Sequence, residues 1–199
     1  MIGTSADHAA TKEVPAAWAG IGPARWSAGP VPAMTWRMSA TTLPSSLTTL
    51  SMRARLALIA ASHRRLTGRP LVPPARDPVQ ALWAAPRAII AHGIEPDPIF
   101  FFGNRFALER FEMTLEAFTK MPSRLSAEPM LREERQALLD RVTRDRFIDD
   151  YSGIRISATG RRFRIERATV WNLIDEGGAI HGQAAAFDRT IDLPEAGGV

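Results

Sequence analysis

Residues 88–112 have the pattern of two short strands joined by a tight turn and followed by a capped helix. Two apolar runs, residues 88–91 and 99–102, are separated by Gly93 and by a Pro-Asp-Pro turn. Asn104 follows the second run. Asparagine is a favourable N-cap residue because its side-chain oxygen accepts an orphan backbone N–H of the first helical turn. Apolar residues then recur at helical spacing, so this segment predicts a β-hairpin leading into a helix.

The patterns on either side of this hairpin predict an α+β fold. Before it, residues 51–66 carry apolar side chains at helical spacing and precede Gly68, and Asp77-Pro78 has the form of a helix start. The elements predicted after the hairpin are a short helix capped by Thr114, a longer helix over residues 131–144 and antiparallel strands over residues 147–157, 162–174 and 180–187. Two strands, then helices, then three strands indicate an α+β domain.

The composition narrows the classes of function. The chain has 199 residues and no cysteine, which excludes disulfides, thiolate zinc sites and cysteine nucleophiles. It has no apolar run of the ~20 residues that a transmembrane helix needs. It also lacks a signal-peptide pattern, so we expect a cytoplasmic protein with no membrane association. The net charge is +4, but the arginines alternate with acidic residues, which favours a solvated surface over nucleic-acid binding.

Catalytic motifs are not found in the sequence. There is no Ser-His-Asp arrangement, phosphate-binding loop, dinucleotide fingerprint or HExxH motif. The glycines at positions 160, 177 and 178 are typical of hairpin turns instead. We therefore predict that the protein is not an enzyme.

Residues 1–50 differ from the rest of the chain. They are rich in Ala, Pro, Gly, Ser and Thr, carry few charges and show no sustained period, so we predict a disordered, low-complexity segment. Three of the five tryptophans lie in it. Two explanations remain open: a peptide-like interaction segment, or a natural start at Met38 or Met52. The predicted organisation is this segment, flanking helices over residues 51–86, a core over residues 87–188 and a tail over residues 189–199.

The hairpin sequence, His92-Gly-x-Glu-Pro-Asp-Pro-Ile-Phe followed by Asn104-Arg, resembles the MEKHLA family. That family is a PAS-like domain, found alone in bacteria and at the C-terminus of some plant homeodomain–leucine-zipper regulators. Further matching stretches lie at residues 65–70, 122–128, 148–157, 168–173 and 181–185. The resemblance covers roughly residues 66–187. It implies a PAS-like five-stranded antiparallel sheet with helices on one face, preceded by N-terminal helices. The phenylalanine run at residues 100–102 and Arg167 depart from the usual pattern.

The resemblance implies a sensory domain that binds a small ligand between sheet and helices, a protein partner, or both. No kinase or DNA-binding pattern accompanies it, so we expect signalling in trans. The alternative is a ligand-free interaction or dimerisation module that uses the N-terminal helix and the sheet face, with a homodimer or an unknown protein as partner. The identity of any cofactor is unknown. Haem-binding relatives usually offer an axial histidine from the long helix, and residues 131–144 contain none. Without cysteine, flavin–cysteine adduct chemistry is excluded.

Two histidines lie on strands that the PAS order makes neighbours. His92 is expected on the first strand and His181 on the last, and two close histidines can begin a metal site. A metal site also needs a third ligand at the right geometry. The favoured interpretation is that each histidine bonds to backbone at a strand end, with no metal.

A polar group marks the start of the third predicted strand. Asp149, Asp150, Tyr151 and Arg155 form it. Adjacent residues on a strand point to opposite faces, so the two aspartates cannot serve one pocket. We favour a structural set of ion pairs and hydrogen bonds in which Arg124 or Arg155 is the partner.

Alternation along predicted strand 162–174 places six side chains on one face: Phe163, Ile165, Arg167, Thr169, Trp171 and Leu173. If this face meets the helices, Arg167 and Thr169 are polar groups in an apolar wall, as in ligand pockets. The alternative is that Arg167 extends to the rim. Flavin-binding relatives often place an amide where Gln183 lies. The predicted ligand-binding residues are His92, Phe102, Asn104, Arg124, Tyr151, Arg155, Arg167, Thr169, Trp171 and Gln183.

Overall fold

The structure is a computed structural model that describes residues 42–127 and 132–194. The prediction of disorder for residues 1–41 lies outside the described residues, as does the end of the tail at residues 195–199. The helices are α1 (Leu50–Thr67), α2 (Pro78–Ala84), α3 (Arg105–Phe111), α4 (Leu115–Phe118) and α5 (Arg132–Asp145). The strands are β1 (Ala88–His92), β2 (Phe100–Gly103), β3 (Phe147–Ile156), β4 (Arg162–Ile174), β5 (Ile180–Phe187) and β6 (Arg189–Asp192).

The strands form one antiparallel sheet with the order β2-β1-β5-β4-β3, and β6 also pairs with β4. The predicted α+β, PAS-like arrangement is confirmed, with six strands in place of five. The additional strand lies in residues predicted as a tail. It pairs with the first half of β4, where Ile165 faces Thr190, whereas β5 pairs with the second half, where Thr169 faces Ala186. Strand β4 is long enough, at 13 residues, to pair with both.

The helix ends follow the cap residues in the sequence. Asp77 Oδ1 accepts the backbone N–H of Val79 at 2.9 Å, and Asn104 Oδ1 accepts that of Ala107 at 3.1 Å. Helix α1 ends at Gly68, which has a left-handed φ of 72° that glycine adopts without a steric penalty. The predicted starts of α2 and α3 and the predicted end of α1 are confirmed. Such ends can be predicted because a cap residue bonds to backbone only a few positions away.

Helix α1 covers the face of the sheet opposite to α5. Trp171 Nε1 donates to the carbonyl of Ile59 in α1 at 3.3 Å. The next residue, Asn172, donates from Nδ2 to the carbonyl of Val142 in α5 at 3.2 Å. Adjacent strand residues point to opposite faces, so helices lie on both faces and not on one. We call the α1 side the outer face and the α5 side the inner face.

Strand β4 contains a bulge at Arg167. Tyr151 of β3 faces Ala168, and Gly153 faces Ile165, so two steps along β3 correspond to three along β4. Arg167 has a φ of 50°, in the left-handed region, and its side chain is exposed. An extra residue of this kind bends a strand and shifts its alternation.

The bulge changes which residues of β4 share a face. Phe163 and Ile165 lie on the inner face together with Val170, since Phe163 contacts the Phe111 ring of α3 and the other two border an inner cavity. Trp171 and Leu173 lie on the outer face. The prediction of a single apolar face from Phe163 to Leu173 is therefore wrong, because simple alternation does not continue through a bulge.

A second irregularity divides the phenylalanine run of β2. Phe100 faces His92 and Phe102 faces Ala91, which leaves Phe101 as the extra residue between them. Phe100 stacks on the Phe118 ring of α4 with centroids 4.4 Å apart, on the inner face. Phe102 is fully buried beside Ala91 on the outer face. The run therefore supplies aromatic side chains to both faces.

The folded core begins before residue 51. A 3₁₀ turn spans Ser45–Leu47, and Leu47 is only 1% exposed within the main hydrophobic core. Leu56 of α1 and Leu82 of α2 belong to the same core. For residues 42–50 the predicted disorder is wrong, because Leu47 packs with the start of α1.

Candidate ligand-binding cavity

A small cavity lies on the inner face, between the sheet and the segments that contain Ser126 and Leu138. Its volume is about 50 Å³. Its lining is mostly apolar and consists of Ile90, His92, Phe100, Ser126, Leu138, Tyr151, Arg155, Ile165, Val170, Gln183, Ala184 and Ala185. A single water needs roughly 10–15 Å³, whereas sites for drug-sized ligands start at about 300 Å³. The cavity therefore suits a few waters or a ligand of a few atoms.

Arg155 and Tyr151 form one polar wall of the cavity. Arg155 is 7% exposed. Its Nη2 donates to the Tyr151 hydroxyl at 2.7 Å, and its Nη1 donates to the carbonyl of Ile154 at 2.8 Å. A β-carbon at Gly153 would overlap the Tyr151 hydroxyl, so a glycine between the two leaves room for their contact.

The positive charge of Arg155 has no carboxylate partner within the described part of the chain. Asp150 pairs with Arg141 of α5 at 3.0 Å, and Asp97 pairs with Arg124 at 2.9 Å. The predicted ion pair is therefore wrong, since Asp150 pairs with Arg141, whereas the predicted hydrogen bonding within this group is confirmed between Arg155 and Tyr151. Asp150 is exposed and meets α5 at the surface, whereas Arg155 points into the interior.

His92 and Gln183 form the second polar wall. They face each other on β1 and β5. His92 Nδ1 lies 2.8 Å from the carbonyl oxygen of Gly93, and because a carbonyl can only accept, Nδ1 is the donor in this contact. Gln183 Nε2 donates to Asn172 Oδ1 at 3.0 Å and to Thr143 Oγ1 at 3.3 Å. These bonds connect the cavity wall to helix α5.

His181 does not join His92. It is exposed, borders a groove on the outer face, and its Nε2 lies 2.8 Å from Asp175 Oδ2. This hydrogen bond is the main cause that lowers the pKa of Asp175. Among the described residues no group of three or more His, Cys, Asp or Glu side chains is arranged to hold a metal ion. The two histidines lie on opposite faces of the sheet.

Asn104 connects helices and strands instead of lining the cavity. It is fully buried. Its Oδ1 accepts the N–H of Ile89 at 3.0 Å in addition to capping α3. Its Nδ2 donates to the carbonyls of Leu82, Ala85 and Arg87. With its oxygen and amide group already bonded to backbone, Asn104 has a structural position.

The other predicted residues also lie away from the cavity. Trp171 is buried beneath α1 and Thr169 faces Ala186 on the outer face. Arg167 is exposed at the bulge. Arg124 is paired with Asp97, and Phe102 is buried on the outer face. Of the predicted ligand-binding residues, the structure brings together His92, Tyr151, Arg155 and Gln183.

Sequence analysis missed most of the apolar lining. Alternation from His92 and Gln183 would have indicated Ile90 and Ala185, because side chains two residues apart share a face. Ile165 and Val170 had no such signal, since the bulge between them gives both the same face despite their odd spacing.

A wider groove of about 450 Å³ lies on the outer face beside α1. It is lined by Ala54, Arg55, Leu58, Gly93, Ile94, Glu95, Phe101, Leu173 and His181. The Arg55 guanidinium lies 3.6 Å from the centroid of the Phe101 ring, and burial is the main cause that lowers its pKa. Ile94, which also lines the groove, is 67% exposed. The groove is thus more open and more charged than the cavity.

No helix in residues 42–127 and 132–194 is both long and apolar enough to cross a membrane.

Comparison with known proteins gives two curated relatives. They are the homeobox-leucine zipper protein HOX29 of Oryza sativa subsp. indica and that of subsp. japonica, each 27% identical over 104 residues. The match covers 52% of this chain but 12% of each relative. The chain thus corresponds to a small part of those proteins.

A solved structure shares the fold. The PAS domain of a protein from Colwellia psychrerythraea superposes with a TM-score of 0.50 at 13% identity. The match covers 57% of this chain and 92% of that domain. This likeness shows a PAS fold.

A comparison with protein families gives a longer match, at both ends, than the resemblance seen in the sequence. The MEKHLA domain matches residues 53–191, which is more than half of the chain. The matched range includes nearly all of α1 and most of β6, beyond the residues 66–187 of the sequence resemblance. The chain therefore belongs to the MEKHLA domain family, and it has the PAS fold.

Proposed function

We propose that this domain is a sensor that binds a small ligand in the inner cavity and signals in trans to a protein partner. The observation that supports it is the convergence of Arg155, Tyr151, His92 and Gln183 on one small space in an apolar core. Ligand sites typically combine apolar walls with a few converging polar groups. We propose binding and not catalysis, because Asp149 and Asp150, which could have provided acid–base chemistry, are exposed outside the cavity. A flavin or a haem does not fit a cavity of about 50 Å³.

Strand β4 connects the cavity to the proposed signalling surface. Val170 borders the cavity, and the next residue, Trp171, bonds to α1. A ligand that favours one position of β4 would therefore favour one packing of α1. In this mechanism the ligand shifts the population between two arrangements, and a partner or a second copy binds one of them.

Native mass spectrometry of protein purified without refolding tests the proposal. We expect an additional small mass that is absent from the denatured spectrum and from the Arg155→Gln variant. The variant Arg141→Gln removes the same charge at the surface and should keep the mass. A bare mass in every sample would contradict a co-purifying ligand and would favour the alternative below.

The alternative is a ligand-free interaction or dimerisation module. The observation that favours it is the outer groove, where the largely exposed Ile94 lies beside Phe101 and α1. A second copy or another protein would then bind along α1. Analytical ultracentrifugation of the protein and of Ile94→Asp tests this: self-association that the variant loses, at unchanged stability, supports a homodimer through this face.

A further inference from the structure

We infer that the cavity binds a small carboxylate, held by Arg155 and Tyr151. This inference rests on the proposed sensory function and names the chemical class of its ligand. It follows from an arginine that is buried at 7% exposure without a carboxylate partner in the described part of the chain.

Arg155 brings a positive charge into the interior of the domain. An arginine side chain stays protonated in proteins. A buried charge is costly unless it is paired and hydrogen-bonded. The hydrogen-bond partners of Arg155, the Tyr151 hydroxyl and the Ile154 carbonyl, are both neutral. An anion in the cavity would neutralise the guanidinium.

Arg155 and Tyr151 together offer hydrogen-bond donors to the cavity. A guanidinium has five N–H donors, and Arg155 uses one from each terminal nitrogen on protein groups. Tyr151 accepts one of these bonds, so its own O–H proton can be donated to a ligand. Two carboxylate oxygens match such donors, because arginine and carboxylate form planar, paired hydrogen bonds.

Most of the remaining cavity lining is apolar. Ile90, Ile165 and Val170 border the cavity with aliphatic groups. They offer contact to a short hydrocarbon chain, whereas the polar groups of the remaining lining are those of His92, Ser126 and Gln183. The volume of about 50 Å³ limits the chain to a few carbons. A short aliphatic carboxylate therefore fits better than an inorganic anion.

The test uses the single tyrosine of the chain as a reporter. The full chain with ¹³Cζ-labelled tyrosine gives one resonance, from Tyr151. We would titrate it with acetate, propionate and butyrate, with the matching amides, and with inorganic phosphate, at constant ionic strength. We expect a saturable shift with at least one carboxylate and none with its amide or with phosphate.

Variants of Arg155 test whether its guanidinium binds the carboxylate. Arg155→Gln should weaken the binding of that carboxylate by roughly ten- to a hundredfold, the effect of losing a hydrogen bond to a charged group. Arg155→Lys should retain part of the affinity. Arg141→Gln should bind as the unaltered protein does. If Arg155→Gln does not fold, Tyr151→Phe, followed by calorimetry, should show a smaller loss of affinity.

Three results would overturn the inference. They are equal binding of acid and amide, preferential binding of phosphate, and a silent tyrosine resonance with all three carboxylates. A co-purified neutral molecule in the native mass spectrum, together with any of these, would refute the carboxylate and leave the sensory function in place. A bare native mass with a saturable carboxylate shift would instead support the class while showing that the ligand is lost on purification.

Discussion

The two faces of the sheet are packed in different ways. On the outer face, Leu56 and Ile59 of α1 and Trp171 of β4 are fully buried. Ser62 of α1 accepts a hydrogen bond from the backbone N–H of Ile174 and donates one to its carbonyl. On the inner face a buried arginine borders a cavity of about 50 Å³. The outer face is thus filled beneath α1, and its groove is open at the side of that helix. The inner face keeps a small cavity and a buried arginine that has no carboxylate partner in the described part of the chain. The filled contact beneath α1 and the small cavity therefore lie on opposite sides of one sheet.

Neighbouring residues of β4 give the most direct test of this difference. Trp171→Ala removes a fully buried side chain from the outer face and should cost about 3–5 kcal/mol of unfolding free energy. Val170→Ala enlarges an existing cavity on the inner face and should cost only about 1.5 kcal/mol, from the loss of two methyl-sized groups. Urea denaturation measures both losses. A loss well above about 1.5 kcal/mol for Val170→Ala would show that the inner face is tightly packed around this residue.

Removing a buried hydroxyl should cost more stability on the outer face than on the inner face. Ser62→Ala leaves the buried N–H of Ile174 without its acceptor and should cost about 1–3 kcal/mol. Tyr151→Phe should cost less than about 1 kcal/mol, because a cavity larger than ~15 Å³ can admit a water to bond Arg155. Chemical denaturation of the two variants side by side checks the order. A larger loss for Tyr151→Phe would mean that this hydroxyl is structural.

The backbone of the β4 bulge should be strained at Arg167. A left-handed φ costs an L-residue about 1–2 kcal/mol, and glycine avoids this cost. Glycine loses more conformational entropy on folding, and this cost offsets part of the relieved strain. Arg167→Gly should therefore stabilise the protein by up to about 1 kcal/mol. Arg164→Gly, in the regular part of the same strand, should destabilise it by a similar amount. Thermal unfolding of the pair gives the signs, and destabilisation by Arg167→Gly would count against strain.

The outer face should also respond weakly to pH through His63. Its ring lies 4.9 Å from the Trp171 ring, centroid to centroid. Burial is the main cause that lowers the pKa of His63, assisted by the charge of Arg87, against a hydrogen bond to the Arg69 carbonyl that raises it. The unfolded chain, with a histidine pKa of about 6.5, therefore takes up the proton first as the pH falls. Stability from neutral His63 is complete above that value and is lost below it.

Denaturation midpoints between about pH 8 and pH 5 measure this small effect, above the range in which carboxylates titrate. His63→Gln should flatten the curve. An unchanged slope in the variant would show that His63 does not contribute to it.

Local signals in the sequence predict a large part of the fold. Strands 162–174 and 180–187 are predicted with the bounds of β4 and β5. The caps at Asp77 and Asn104 are correct because a side chain bonds a backbone N–H only a few residues away. Such signals are complete within one turn or one strand, so they can be identified from spacing alone.

The candidate site is predicted only in part, and the errors have a common cause. His92, Tyr151, Arg155 and Gln183 border the cavity as expected, but Arg167 and Trp171 do not. Their placement depends on a bulge that arises where β4 pairs with both β3 and the two strands β5 and β6. No property of residues 162–174 alone indicates where that partner changes.

The sequence by itself determined the MEKHLA family, the order of the helices and of the first five strands, and the ends of several elements. Only the tertiary structure decided that α1 closes the outer face, that Arg155 is buried without a carboxylate partner in the described part of the chain, and that the inner cavity is small. Caps, turns and alternation depend on bonds and sterics within a few residues. The pairing of a buried charge depends on which side chains from distant strands reach it, and Asp150 is committed to Arg141 at the surface.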